Sequence, residues 1–243
     1  MALAEGNPMA LLAGIDGCKK GWIIAIHDTR NYSFEHTLAE DFAQVLEITR
    51  GFAVVALDIP IGLLDCARKG GRACDRHARK LLAPKRASSV FNAPARPALS
   101  AGSFAQANQL NRNSSPDNIG LSMQSFAILP KIKAVDDLMT PDLQKVVKEV
   151  HPELCFMEMN NGAPAIHPKK KRPGREEREE ILKKRLPCCN LDPMLNRRDA
   201  AMDDYYDACA GLWTAIRIHK SIAIRIPDEP ERDSRGLFME IWR

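Results

Sequence analysis

Two stretches decide the fold between them: LLAGIDGCKKGWIIAIHD, residues 11–28, and FAVVALDI, residues 52–59. Residues 10–16 are small and branched apolar side chains ending in Asp16, the composition of a buried strand. Gly17 to Gly21 is a glycine-bounded turn and Trp22 to His27 a second apolar run. Together they predict a β-hairpin with the acid at the inner end of its first strand. Residues 31–37 predict a third antiparallel strand, and Leu38, Phe42, Val45 and Leu46 then fall on one face of a helix. Phe52 to Ile59 is almost continuously apolar, as in a strand covered on both faces, and it carries Asp58 near its end. A meander, a crossover helix and then parallel strands give an α/β mixed sheet flanked by helices.

Working outward, residues 62–141 show no clear strand pattern. Helical stretches are expected near 72–83, 103–111 and 121–139, between loops rich in Pro, Ser and Asn. The segment reads as a helical cap inserted into a single domain of residues 1–243. Strand signals return at 146–150 and at 154–159, and Gly236 to Trp242 predicts a last strand. Gly174 to Leu186 predicts a charged helix and Asp199 to His219 an amphipathic one.

A chain of 243 residues with 45% hydrophobic and 27% charged content can bury a full core. A net charge of +4 does not by itself imply a nucleic-acid partner, because a local patch matters more than the sum. The seven cysteines are odd in number and include no CxxC pair, which fits reduced thiols in a cytoplasmic protein and argues against zinc ribbons. The opening MALAEGNPMALLAG carries Glu5 and no basic segment, so no secretory signal peptide is expected. No apolar run has the length of a membrane span.

The acids carry the chemistry. Asp16 and Asp58 stand where a core normally places Val or Ile, Glu153 ends the run VVKEVHPE, and Asp203, Asp204 and Asp207 share the helical stretch MDDYYDACAGLW. A buried carboxylate is costly unless it is paired or bound to a metal. If the first strand lies beside the one after the crossover helix, Asp16 and Asp58 are about one strand spacing apart, ~4.8 Å. At that distance each raises the other's pKa unless a cation lies between them. Asp203, Asp204 and Asp207 share a helix face, and like charges so spaced cost about 0.2–0.5 kcal/mol per pair. Carboxylates alone favour a hard cation, Mg2+ or Mn2+, over zinc. Each acid also has a structural reading: Asp16 as a turn stabiliser, Asp58 as a strand terminator, Asp203 as a helix-dipole partner, Glu153 as half of an ion pair.

The segments GIDGCKKGW, LDIPIGL, SSVFNAP, LPKIKAVD, EVHPELCF and DDYYDACAGLWTA occur in this order. Together they resemble the domain-of-unknown-function family 429, regarded as predicted nucleases of the RNase H-like fold and related to Holliday-junction resolvases. The resemblance runs from about Gly14 to Trp242 and implies an RNase H-like mixed sheet. It places Asp16 on the first-strand acid, Asp58 on the second acidic position, and Asp204 and Asp207 on the acid pair of the late helix. Glu153 of the HPE motif is typical of the family. The implied catalytic set is Asp16, Asp58, Glu153, Asp204 and Asp207, with Asp16, Asp58, Asp204 and Asp207 as metal ligands. The implied reaction is two-metal phosphodiester hydrolysis with Mg2+ or Mn2+ ions ~3.5–4 Å apart.

Arg72, Arg76, Arg79 and Lys80 fall on one helix face and could contact phosphates, and Lys169-Lys170-Lys171-Arg172 reads as a mobile basic loop. Arg72, Arg79, Lys169 and Lys170 are therefore the expected substrate-binding residues of a nucleic-acid partner, against the plainer reading of solvated charge. His151 reads as a structural histidine or a proton-transfer aid beside Glu153. Two rivals remain: a non-catalytic module that binds nucleic acid or a phosphorylated ligand through the basic cap, and an actin-like ATP-dependent phosphotransferase.

Overall fold

The computed structural model describes residues 9–187, 189–191, 196 and 198–243. Cys188 and residues 1–8, on which the thiol and signal-peptide readings partly rest, lie outside the described residues. The six described cysteines are free.

Strands β1 (Leu11–Cys18), β2 (Gly21–Asp28) and β3 (Ser33–Ala39) form the antiparallel meander. The β1–β2 turn is tighter than expected. β1 continues past Asp16 to Cys18, and only Lys19 and Lys20 turn the chain, with Gly21 at φ +137°. Leu38 belongs to β3, opposite Ile23, rather than to the helix that follows. That helix, α1 (Phe42–Ile48), begins at Asp41, whose carboxylate accepts the Gln44 N–H. It crosses to β4 (Val54–Leu57), which lies parallel to β1, and β5 (Val147–Glu149) extends the sheet parallel to β4. The order is β3-β2-β1-β4-β5.

Strand parity assigns the faces. Leu12, Val54 and Ala56 point to a core shared with Phe156, Leu182 and Leu212. Ala13, Ile15, Val55 and Leu57 point to the opposite core with Phe42, Ile132 and Val135. By the same alternation Asp16 and Asp58 continue the first face.

The segment 62–141 is helical, comprising α2 (Ala73–Leu82), α3 (Phe104–Asn113), α4 (Met123–Ala127) and α5 (Leu129–Leu138), and it divides between two places. α5 lies in the second core through Ile132 and Val135. α2 joins a third core with Leu154, Met157 and Ile241.

The expected strand at 154–159 is instead α6 (Pro152–Met159). His151 Nδ1 accepts the Glu153 N–H and Pro152 takes a first-turn position, the standard start of a helix. Leu154, Cys155, Phe156, Met157 and Met159 are all buried, so the helix has no polar stripe and its run mimics a core strand. α7 (Arg172–Arg185) and α8 (Met202–His219) complete the layer over the first face. The last strand is short: β7 (Ile241–Trp242) pairs with β6 (Arg225–Ile226), and Trp242 bridges to Val150. Among the described residues no helix is long and apolar enough to cross a membrane.

Candidate metal centre

α8 sets the centre by lying directly on β1. A Cβ on Gly14 would fall 2.0 Å from the Leu212 nitrogen and 2.1 Å from the Ala208 oxygen, so only glycine admits the helix backbone here. A Cβ added to Gly211 would in turn lie 3.5 Å from the Gly14 Cα. This crossing brings Asp207, one residue before Ala208, over the end of β1. The parallel register pairs Ile15 with Leu57, and the Asp58 N–H donates to the Ile15 carbonyl at 3.0 Å, so Asp16 and Asp58 are lateral neighbours.

Asp16, Asp58 and Asp207 each present an oxygen within 4.8 Å of the other two. Asp207 is 1% exposed and Asp16 7%. Burial, then Asp58 and Asp207, push the Asp16 carboxyl well above the usual carboxylate range. Burial and Asp207 push Asp58 up to about 8, and its carboxyl hydrogen-bonds that of Asp16. Burial and mutual repulsion therefore favour the protonated forms of the pair in the metal-free protein, and a cation must displace those protons to bind.

Asp207 has two unlike oxygens. Oδ2 accepts from the Lys169 ammonium. Oδ1 is buried with no partner among the described residues. Glu153 repeats the pattern: Arg178 Nη2 donates to Oε1 at 2.5 Å, while buried Oε2 has no partner among the described residues. Two orphaned carboxylate oxygens around one cluster are what a bound cation or an ordered water would satisfy. Oxygens on one cation with bonds of ~2.0–2.6 Å lie at most ~4–5 Å apart, so the triad fits a hard divalent ion.

Asp204 is placed differently from its partners. Its Oδ2 accepts the Ala201 N–H at 3.0 Å, which makes it the capping residue of α8. With Asp203 it stands at the rim of a cleft of about 680 Å3 whose floor holds the triad and Glu153. His151 sits in the wall, its pKa lowered by burial, with Nε2 3.4 Å from the Ser89 carbonyl. It is a helix-capping residue facing Ser89, already committed to two structural bonds.

The four cationic candidates separate. Arg72 is no phosphate ligand: it is 2% exposed, its side chain donates to Asp75, Glu149 and the Ile61 and Gly62 carbonyls, and no donor is left for a substrate. Arg79 donates to the Val90 and Gly70 carbonyls and lines a neighbouring cavity away from the acids. Lys169 and Lys170 line the acid cleft. Their loop is tethered on its N-terminal side: the Ile166 and His167 N–H groups donate to Glu177, and Arg178 donates to the His167 carbonyl. Although burial alone would lower it, Asp207, Asp16 and Asp58 hold the Lys169 pKa above its ordinary value.

Two further cations reach the cleft. Arg86 anchors Nε on the Ala165 carbonyl at 2.8 Å and leaves Nη2 buried without a partner among the described residues. Lys131 lies 4.5 Å over the Trp22 ring and donates to the Gly21 carbonyl. Spacing along the chain marked neither for this cleft. Lys131 had one signal, its place in LPKIKAVD.

Fold and site define a class: an α/β protein with a mixed five-stranded sheet and a buried carboxylate centre where the first parallel strand pair meets a crossing helix. The chain belongs to the family described as "Protein of unknown function (DUF429)", which it matches over residues 14–232. No curated protein and no solved structure matches it.

Proposed function

We propose that this chain hydrolyses phosphodiester bonds, as a nuclease does, with Mg2+ or Mn2+ held by Asp16, Asp58 and Asp207. The observation that carries the reading is the buried Asp207 Oδ1, without a partner among the described residues and set among two further carboxylates. When bound, the cation supplies Lewis acidity toward a phosphoryl oxygen and lowers the pKa of a coordinated water. The chain's own groups do the rest. Arg86, Lys169 and Lys170 face the same cleft as the acids and offset the charge of a phosphate brought to them. Glu153, fixed by Arg178, offers Oε2 to orient a water or accept its proton. An acidic floor under cationic walls suits a cation and a phosphate together, and suits neither alone.

The half-open cleft of about 680 Å3 is large enough to admit a group of nucleotide size at its acidic floor.

The test is a cleavage screen over single strands, duplexes, junctions and a chromogenic phosphodiester with Mg2+ or Mn2+. Asp16→Asn and Asp207→Asn are expected to abolish cleavage with unchanged circular dichroism. Wild-type rates in both variants would sink the assignment.

A further inference from the structure

The charges around the triad do not match two divalent ions. Once a cation has displaced their protons, Asp16, Asp58 and Asp207 bring three negative charges to one spot, and Lys169 returns one positive charge by donating directly to Asp207. Glu153 is already neutralised by Arg178. On the triad two negative charges remain, the complement of a single divalent cation, while Asp203 and Asp204 at the rim are matched in the same cleft by Arg86, Lys131 and Lys170. A second divalent ion beside a retained ammonium would leave the floor two charges positive in a low-dielectric site, at strong electrostatic cost.

Lys169 is also built into this position. A Cβ on Gly174 would lie 2.1 Å from the Pro168 carbonyl oxygen, so glycine lets the loop sit against the first turn of α7. Glu177 and Arg178 of that helix fix Ile166 and His167, and the Lys171 N–H closes the turn on the Pro168 carbonyl at 3.0 Å. The lysine therefore arrives at Asp207 on a braced support.

Building on the metal-dependent reading above, we propose that the centre takes one divalent cation only, and that the Lys169 ammonium occupies the second cationic position. In that position it does by charge what a second ion would do: it offsets the negative oxygens of the phosphate and the charge that develops on the departing oxygen. It does so without an exchangeable ligand, so one half of the centre is permanently loaded.

The experiment is Mn2+ titration of the full chain by calorimetry, with electron paramagnetic resonance of the loaded protein, on wild type, Lys169→Met and Lys169→Arg. Wild type is expected to bind one Mn2+ with an uncoupled spectrum. Lys169→Met is expected to bind two, with the exchange-coupled spectrum of ions ~3.5–4 Å apart. Lys169→Arg keeps the charge and is expected to remain at one. Two ions in wild type, or one ion in Lys169→Met with unchanged affinity, overturns the inference and leaves the metal reading standing. No Mn2+ bound by wild type overturns the metal reading itself, and the inference with it.

Discussion

Arg72 and Lys169 carry the same charge in sequence and have opposite fates in the fold. Arg72 is enclosed between Asp75, three residues on, and Glu149, far along the chain, with both carboxylates within 2.7 Å. Removing one member of such a buried network leaves the others charged and unpaired, which costs about 3–5 kcal/mol. Arg72→Met is therefore expected to lower the unfolding free energy by that amount in urea titration, whereas Arg79→Met, which leaves only carbonyls behind, is expected to cost less. Equal effects would contradict the different burial of charge around the two arginines. Helical spacing put both arginines on one face, and spacing is blind to a partner contributed by a distant strand. The acids were more legible. A carboxylate ending an apolar strand is conspicuous in any chain, and Asp16, Asp58 and Asp207 all lie in the cleft. Asp204 shares the helix and lies at the rim, because its position in the first turn commits it to the Ala201 N–H.

α8 is the element on which the centre depends. It packs over β1 where Gly14 and Gly211 remove both side chains from the crossing, and it carries Asp207 to Asp16. The two glycines are not equivalent. A methyl at Gly14 meets helix backbone at 2.0–2.1 Å, while one at Gly211 meets its nearest atoms at 3.5–3.6 Å, an ordinary contact. Gly14→Ala is expected to displace α8, destabilise the fold by about 1–3 kcal/mol or more and weaken Mn2+ binding. Gly211→Ala is expected to be neutral, or to gain about 0.5–1 kcal/mol from its better helix propensity. Paired thermal melts with Mn2+ titrations check this, and a Gly14→Ala protein with wild-type metal affinity would refute it. Hydrophobic period found the meander, α1, α7 and α8. It misread α6, because a helix buried on all sides shows the same apolar run as a strand. His151-Pro152-Glu153 held the correcting signal, a side-chain cap with proline in the first turn.

Across the whole molecule the buried triad makes metal-free stability depend on pH. The Asp58 carboxyl titrates near 3.8 when exposed and is pushed up to about 8 in the fold, by burial first and then by Asp207. A raised folded value means the native state holds the proton more tightly than the unfolded chain. This contribution is complete below about pH 4 and is lost as pH rises through about 8. With chelator present, the melting temperature is expected to fall between pH 5 and 9. Added Mn2+ is expected to raise it most at the alkaline end, where cation and proton no longer compete. A metal-free melting temperature that climbs over this range would contradict the arrangement. By itself the sequence determined the meander, the crossover helix, the mixed sheet and the strand parity that puts Asp16 and Asp58 on one face with Leu12 and Val54. These follow from local patterns of two and 3.6 residues. Tertiary structure alone decided which acid of α8 meets the strands, that Glu153 faces them from a helix, that Arg72 is walled in and that Lys169 reaches Asp207. Each of those contacts joins segments distant in the chain, and local periodicity carries no information about which distant segments burial will bring together.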